Sequence, residues 1–466
     1  MRRRRPALTA AACTTLVLGA AGIPAAAASA AESPASGHYT GTIADGATWI
    51  ADVPAHWNGT LILFSHGFGP TTAADSPSAA SQTALLNQGY ALAGSSYDPS
   101  GSWWALDTAA NDQFATLADV EQLLGGKPHV IAMGESMGGL INSQIAEQGA
   151  GRVNAALNLC GLVGGGVNLN NYQLNAEYAI TKLIPGASGV QIRDYSSAAA
   201  GSAAAATLST AVTAAQPTAE GQARIALVGA LLNETDWAAN ETAPAPHDYA
   251  GQEAQEEQWM TSGGQLGFIE FGRYYIEQAA GGDSGWNAGV NYAELLRGSV
   301  HFQQVAALYK TAGLNLNADL EALDRGESYL PEGGSLASME HSSTNTGHLA
   351  VPLLDIHTTS DQLVPVEQES AYAEKVAEAG DSALLRQAYV SRQGHCDFTT
   401  AEIVAALDTV NQRAVTGAWG DTAAAASLEA AANALGLDGA AYVAFHPGQL
   451  VTQDTNSFFG VHSSKS

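Results

Sequence analysis

The stretch His129-Val130-Ile131-Ala132-Met133-Gly134-Glu135-Ser136-Met137-Gly138-Gly139 constrains this chain more than any other. Its first five residues read as a strand buried on both faces. They run without a spacer into Gly-x-Ser-x-Gly, and residues 140–148 continue with helix-compatible composition. A strand feeding a helix through so short a turn must bend sharply, so the residues flanking the Ser have to be small, and the Ser hydroxyl is left exposed.

The same rhythm repeats on either side. Thr60–Ser65, Tyr90–Ser95, Ala155–Cys160, Val351–His357 and Leu384–Val390 are short apolar runs. Between them, residues 81–88, 107–124, 367–379, 399–416 and 422–436 suit helices. Weakly alternating residues 38–53 read as opening strands. Alternation of this kind predicts an α/β fold, a mostly parallel sheet with helices on both faces. The rhythm breaks from 161 to 348, where Gly164-Gly165-Gly166 opens an Ala-, Gln-, Glu- and Asn-rich region with helical stretches at 218–233, 250–280 and 301–312. The organisation expected is therefore a core of residues 31–160 and 349–466 with a large, mainly helical cap insertion over 161–348. Residues after about 436 have no clear assignment.

The first 30 residues stand apart. Arg2–Arg5 precede an apolar, Ala-rich stretch that ends at Ala28-Ser29-Ala30, the pattern of a signal peptide cleaved near Ala30. The expected mature chain is secreted and carries no integral membrane span. The formal charge of −27, or −31 without the four leader arginines, disfavours nucleic acid and anionic membranes as partners. Of three cysteines, Cys160 and Cys396 survive cleavage, and an even, sparse count in an exported chain suggests one disulfide.

A serine hydroxyl needs a base to become a nucleophile and donors to hold the developing oxyanion. The turn that exposes Ser136 puts the Met137 N–H at a helix N-terminus, one such donor. The loop His66-Gly67-Phe68-Gly69, directly after a buried strand, offers the Phe68 N–H as a second. His66 itself reads as structural. The base expected is His395, on a loop after the last clear strand and preceded by Gly394; His357, at a strand end, is its rival. The acid expected is Asp361, which opens the turn Asp361-Gln362-Leu363-Val364-Pro365. Its competitor Asp355 lies inside a strand, and Asp397 is too close to His395 in sequence to reach its ring. No His/Cys/Asp spacing resembles a metal site, so neither a metal nor another cofactor is expected.

The order Ser136, Asp361, His395, with the Gly134–Gly138 turn, the His66-Gly67 loop and Asp361-x-x-Val364-Pro365, resembles the α/β-hydrolase superfamily over about residues 40–160 and 350–415. The resemblance implies a Ser-His-Asp triad and secreted serine esterase or lipase-like activity on small-molecule or polymeric esters. A Ser at the turn separates this chain from relatives that place an Asp there. Cys396, directly after His395, resembles the histidine loop of tannase and feruloyl esterase relatives, where a disulfide fastens that loop. Here Glu135, not Cys, precedes Ser136. The resemblance then implies a Cys160–Cys396 bridge, with two free buried thiols as the alternative.

Capped relatives place such an insertion over the active site, and Trp103 and Trp104 are candidates for lining its mouth. A peptidase of aminopeptidase type, whose amine recognition would draw on acidic cap residues such as Glu253, Glu256, Glu257 and Glu270, and an acyltransferase with the same triad both stay open. So does a binding protein built on the fold.

Overall fold

The computed structural model describes residues 35–326 and 328–453. The proposed signal peptide lies outside them. Nine strands form one sheet in the order β1-β2-β4-β3-β5-β6-β7-β8-β9: β1 Gly37–Thr42, β2 Thr48–Val53, β3 Thr60–Ser65, β4 Ala91–Ser95, β5 His129–Glu135, β6 Ala155–Leu159, β7 Leu353–Ser360, β8 Leu385–Gln393 and β9 Tyr442–Val443. From β4 through β8 every pairing is parallel, while β1, β2 and β9 add antiparallel edges. This is the α/β-hydrolase fold.

The apolar runs are continuous because both faces of the sheet are covered. Leu61, Leu63, Val130 and Ala132 feed one hydrophobic cluster, and Ile62, Phe64, Ile131 and Met133 feed the other, the two-residue period of a pleated strand. The first cluster takes in α2 (Ala109–Leu123), α3 (Met137–Gln148) and the helices of the insertion; the second takes in α1 (Ala79–Asn87), α14 (Thr400–Thr416) and α15 (Ala425–Ala434). Each such Leu, Ile or Phe contributes about 1.5–3 kcal/mol by leaving water. α14 starts where its sequence says it should. Thr399 and Glu402 form a reciprocal capping box.

Between β6 and β7 the chain builds nine helices, α4 (Gly166–Leu183), α5 (Ala198–Ala215), α6 (Ala219–Leu232), α7 (Tyr249–Met260), α8 (Gln265–Ala280), α9 (Tyr292–Gly298), α10 (Phe302–Ala312), α11 (Leu316–Gly326) and α12 (Ser335–Ser342), and no strand among the described residues. The stretch 250–280, helical in composition, forms two helices. Gly264 adopts a left-handed φ of +82° and breaks it. Among the described residues α5 is long and apolar enough to cross a membrane; it packs against α8, where Gly201 abuts the Glu270 backbone. α13 (Gln368–Ala379) links β7 to β8.

Candidate active site

Ser136, Cys160, Asp361 and His395 follow β5, β6, β7 and β8, so one edge of a parallel sheet collects them. The carboxyl edge is where folds of this kind present functional groups. Ser136 sits in the sharp turn with φ +58° and ψ −124°, a region costly to any residue but glycine. The turn closes only because its neighbours are glycines: a Cβ on Gly134 would overlap the Gly138 carbonyl, and one on Gly138 would overlap the Ser65 carbonyl.

The three candidate residues meet. His395 Nε2 lies 2.8 Å from Ser136 Oγ, and His395 Nδ1 lies 2.8 Å from Asp361 Oδ2. The other Asp361 oxygen, Oδ1, accepts from the Leu363 and Val364 N–H groups, both at 2.9 Å. That is why the acid opens the 361–365 turn: the turn supplies its donors. Burial pushes the Asp361 carboxyl up, but His395 and His357 pull harder and hold it well below the usual carboxylate range. An Asp-held imidazole of this geometry can accept a proton from the hydroxyl at its other nitrogen.

The rival histidine turns out to stand behind the acid. His357 is fully buried, with Nε2 2.9 Å from the Val364 carbonyl and 3.5 Å from Asp361 Oδ2, and Nδ1 3.0 Å from Glu369 Oε1. A carbonyl only accepts, so Nε2 carries hydrogen. Burial lowers its pKa, yet the hydrogen bonds and charges of Asp361 and Glu369 outweigh that and push it to about 10. Asp355 lies buried within β7, where desolvation pushes its carboxyl well up; it does not reach His395. Glu369 was not singled out in the sequence, since an acid in the first turn of a helix is commonplace. Glu135, beside Ser136, is pushed up to about 7 by desolvation, against the opposing pull of His395.

Met137 is the first residue of α3, so its N–H has no intrahelical acceptor. The loop after β3 lies against the serine: a Cβ on Gly67 would stand 3.2 Å from Ser136 Cβ. His66 fixes that loop. Its Nδ1 bonds the Gly67 carbonyl at 2.8 Å, its ring stacks on Tyr97 at 4.2 Å, and the Tyr97 hydroxyl donates to the His66 carbonyl at 2.9 Å. Phe68 follows and lines the same cavity as Ser136, Met137 and His395.

Cys160 and Cys396 are bonded, with Cα atoms 5.3 Å apart and left-handed φ values of +46° and +55°. The bridge ties the end of β6 to the residue after His395. Cys160, His395 and Cys396 have metal-ligand spacing, but sulfurs bonded to each other are not thiolate ligands.

The cavity over Ser136 is narrow, about 50 Å³, and apolar. Phe68, Trp104, Met137, Leu162, Leu169, Phe268, Ile269, Ile276, Leu363 and Val364 make most of its wall, with Gln173 as the polar side chain beyond Ser136 and His395. α4 and α8 therefore roof it. The two tryptophans part company. Trp104 reaches the wall. Trp103 does not line this cavity; it stacks on Tyr275 of α8 at 4.6 Å and meets Phe68 edge-on at 5.8 Å, fastening the β3 loop to the insertion. The four cap acids also lie off the cavity wall. Glu253 accepts from Gln216, Glu256 from Gln304, Glu257 from Thr213 and Thr261, and Glu270 from Arg273.

No protein-family model matches the chain. Among curated proteins it is similar to an o-phthalyl amidase of Xanthobacter agilis, 29% identical over 412 residues that cover 82% of this chain and 88% of that one. Among solved structures it is similar to feruloyl esterase B from Aspergillus oryzae (12% identity, TM-score 0.44, covering 81% of this chain and 80% of that one). It is also similar to proline iminopeptidase from Mycobacterium smegmatis (14% identity, TM-score 0.36, covering 81% and 100%).

Proposed function

We propose that this α/β-hydrolase-fold chain is an exported serine hydrolase that cleaves carboxylic esters of compact, flat acyl groups through an acyl-enzyme on Ser136. The observation that carries the reading is the unbroken chain Ser136–His395–Asp361 opening into a narrow apolar cavity. His395 Nε2 takes the Ser136 proton as Oγ bonds to the acyl carbon. The Phe68 and Met137 N–H groups hold the oxyanion, and His395 returns the proton to the departing alcohol. Water then repeats the sequence and releases the acid. Asp361 keeps hydrogen on Nδ1 throughout and stays ionised. Export agrees with the Cys160–Cys396 bridge.

A second reading, cleavage of an amide rather than an ester at the same acyl group, is favoured by the likeness to the o-phthalyl amidase. Both readings put an aromatic acyl group in the aromatic- and aliphatic-walled cavity. The aminopeptidase alternative is less supported, because the acidic residues it would use to hold a free amine are engaged elsewhere. Steady-state hydrolysis of p-nitrophenyl acetate, benzoate and palmitate, with benzoyl and aminoacyl p-nitroanilides alongside, tests the assignment. The expected order is benzoate or acetate well above palmitate, with benzoyl anilide turned over only if the amide reading holds. Turnover confined to aminoacyl anilides would reject the proposal.

A further inference from the structure

The underside of α4 carries an unusual run of polar side chains for a buried helix. Asn170 donates to Ser284 Oγ at 2.7 Å, and Asn171 accepts from the Trp286 N–H at 3.2 Å. Asn175 donates to Gln453 and accepts from Tyr292, and Glu177 pairs with Arg273. Gln173 differs. It is 7% exposed, it lines the cavity over Ser136, and its carboxamide has no hydrogen-bond partner among the described residues. Trp104, in the same wall, is 4% exposed and its indole Nε1 also lacks an acceptor. The Gln173 amide opens on the cavity, where an amide without a partner is costly, and the wall around it is otherwise hydrocarbon apart from Ser136, His395 and the Trp104 indole N–H. The partner that Gln173 lacks is therefore something that enters the cavity, and with the Trp104 N–H also unpaired there an oxygen acceptor suits both side chains.

We propose that Gln173 is a specificity-determining residue: its carboxamide N–H donates to an oxygen-bearing substituent on the acyl part of the substrate, so that the preferred acyl group is an aromatic ring carrying a carbonyl, carboxyl or hydroxyl oxygen. This rests on the aromatic-acyl reading above. The acyl side is the one addressed, because the walled cavity over Ser136 must hold the group that stays on the enzyme while the leaving group departs. A site that hydrogen-bonds a substrate rejects the analogue lacking that group more strongly than an apolar pocket can, since the analogue leaves its donor unpaired.

The test uses p-nitrophenyl benzoate and its hydroxy-, acetyl- and carboxy-substituted derivatives, with the intact chain and with Gln173→Leu and Gln173→Glu. The quantity read is the ratio of kcat/KM, substituted over unsubstituted. Wild type is expected to favour at least one substituted ester by about tenfold or more, and Gln173→Leu to collapse that ratio by about 10–100-fold. Gln173→Glu keeps the shape but removes the donors; it is expected to spare a hydroxy derivative, which can itself donate, and to lose a carboxy one. Moving the substituent to the phenol leaving group should leave no dependence on Gln173. A wild-type ratio near one, or a ratio unchanged by Gln173→Leu, overturns the assignment; the wild-type ratio needs no variant to fold. Poor turnover of every benzoate beside brisk turnover of alkyl esters would instead overturn the aromatic-acyl reading on which it stands.

Discussion

Replacing His357 by Gln tests the buried charge behind the acid. The imidazolium lies between two carboxylates, 3.0 Å from Glu369 and 3.5 Å from Asp361, with no access to water. Raising an imidazole from its ordinary 6.5 to about 10 corresponds to about 5 kcal/mol of preference for the charged form. Removing one partner of a buried ion pair costs about 3–5 kcal/mol, and the variant is expected to lose that much at neutral pH. The pH dependence separates charge from packing. Because the folded-state pKa lies above the unfolded value, the stabilisation is fully present below about 6.5 and is lost as pH rises towards 10. Urea unfolding of wild type and His357→Gln at pH 6, 8 and 10 should therefore show a gap that is widest at pH 6 and closes towards pH 10. Activity should fall with it, about tenfold in kcat with little change in KM, because Asp361 would be held less firmly against His395. A gap of equal size at all three pH values, or none at pH 6, would refute the charged assignment.

Two further outcomes follow from the site. Asp361→Asn should lower kcat by on the order of 10⁴: Oδ1 is committed to the Leu363 and Val364 N–H groups, so the amide NH₂ must face His395 Nδ1 and impose the wrong tautomer; near-normal kcat would argue against the role given to Asp361. Replacing Cys160 and Cys396 together by Ser opens a ring of sequence separation 236 and should cost about 2–4 kcal/mol, up to about 5 on loop entropy alone, read as a lower Tm and a larger loss of activity as the His395 loop is released; an unchanged Tm would argue against it.

The candidate site was more legible in the sequence than the insertion that shapes it. β3, β5 and β6 are apolar throughout because both faces are covered, and the Gly134–Gly139 turn can only join a strand to a helix. Asp361 and His395 stood out as candidates because each lies just after a run with strand character, β7 and β8. α4 did not. It is buried almost all round, so no amphipathic stripe marks it, and Asn170, Asn171 and Asn175 find their partners far away in the chain, in Ser284, Trp286 and Gln453. Gln173 carries no signal of its own in such a run. Likewise β9 has two residues, too few for any period, and exists only by pairing with β8. Of Trp103 and Trp104, adjacent and alike in sequence, the fold sends one to the cavity and the other to the aromatic contact with α8.

Trapping the acyl-enzyme tests the central claim most directly. The intact chain, mixed with p-nitrophenyl benzoate and quenched in acid within the first turnovers, is digested and its peptides weighed. The account predicts a benzoyl adduct on the peptide containing Ser136, absent from Ser136→Ala, whose ester turnover should fall by on the order of 10⁴ or more. Full turnover by Ser136→Ala, or an adduct on another residue, would contradict it.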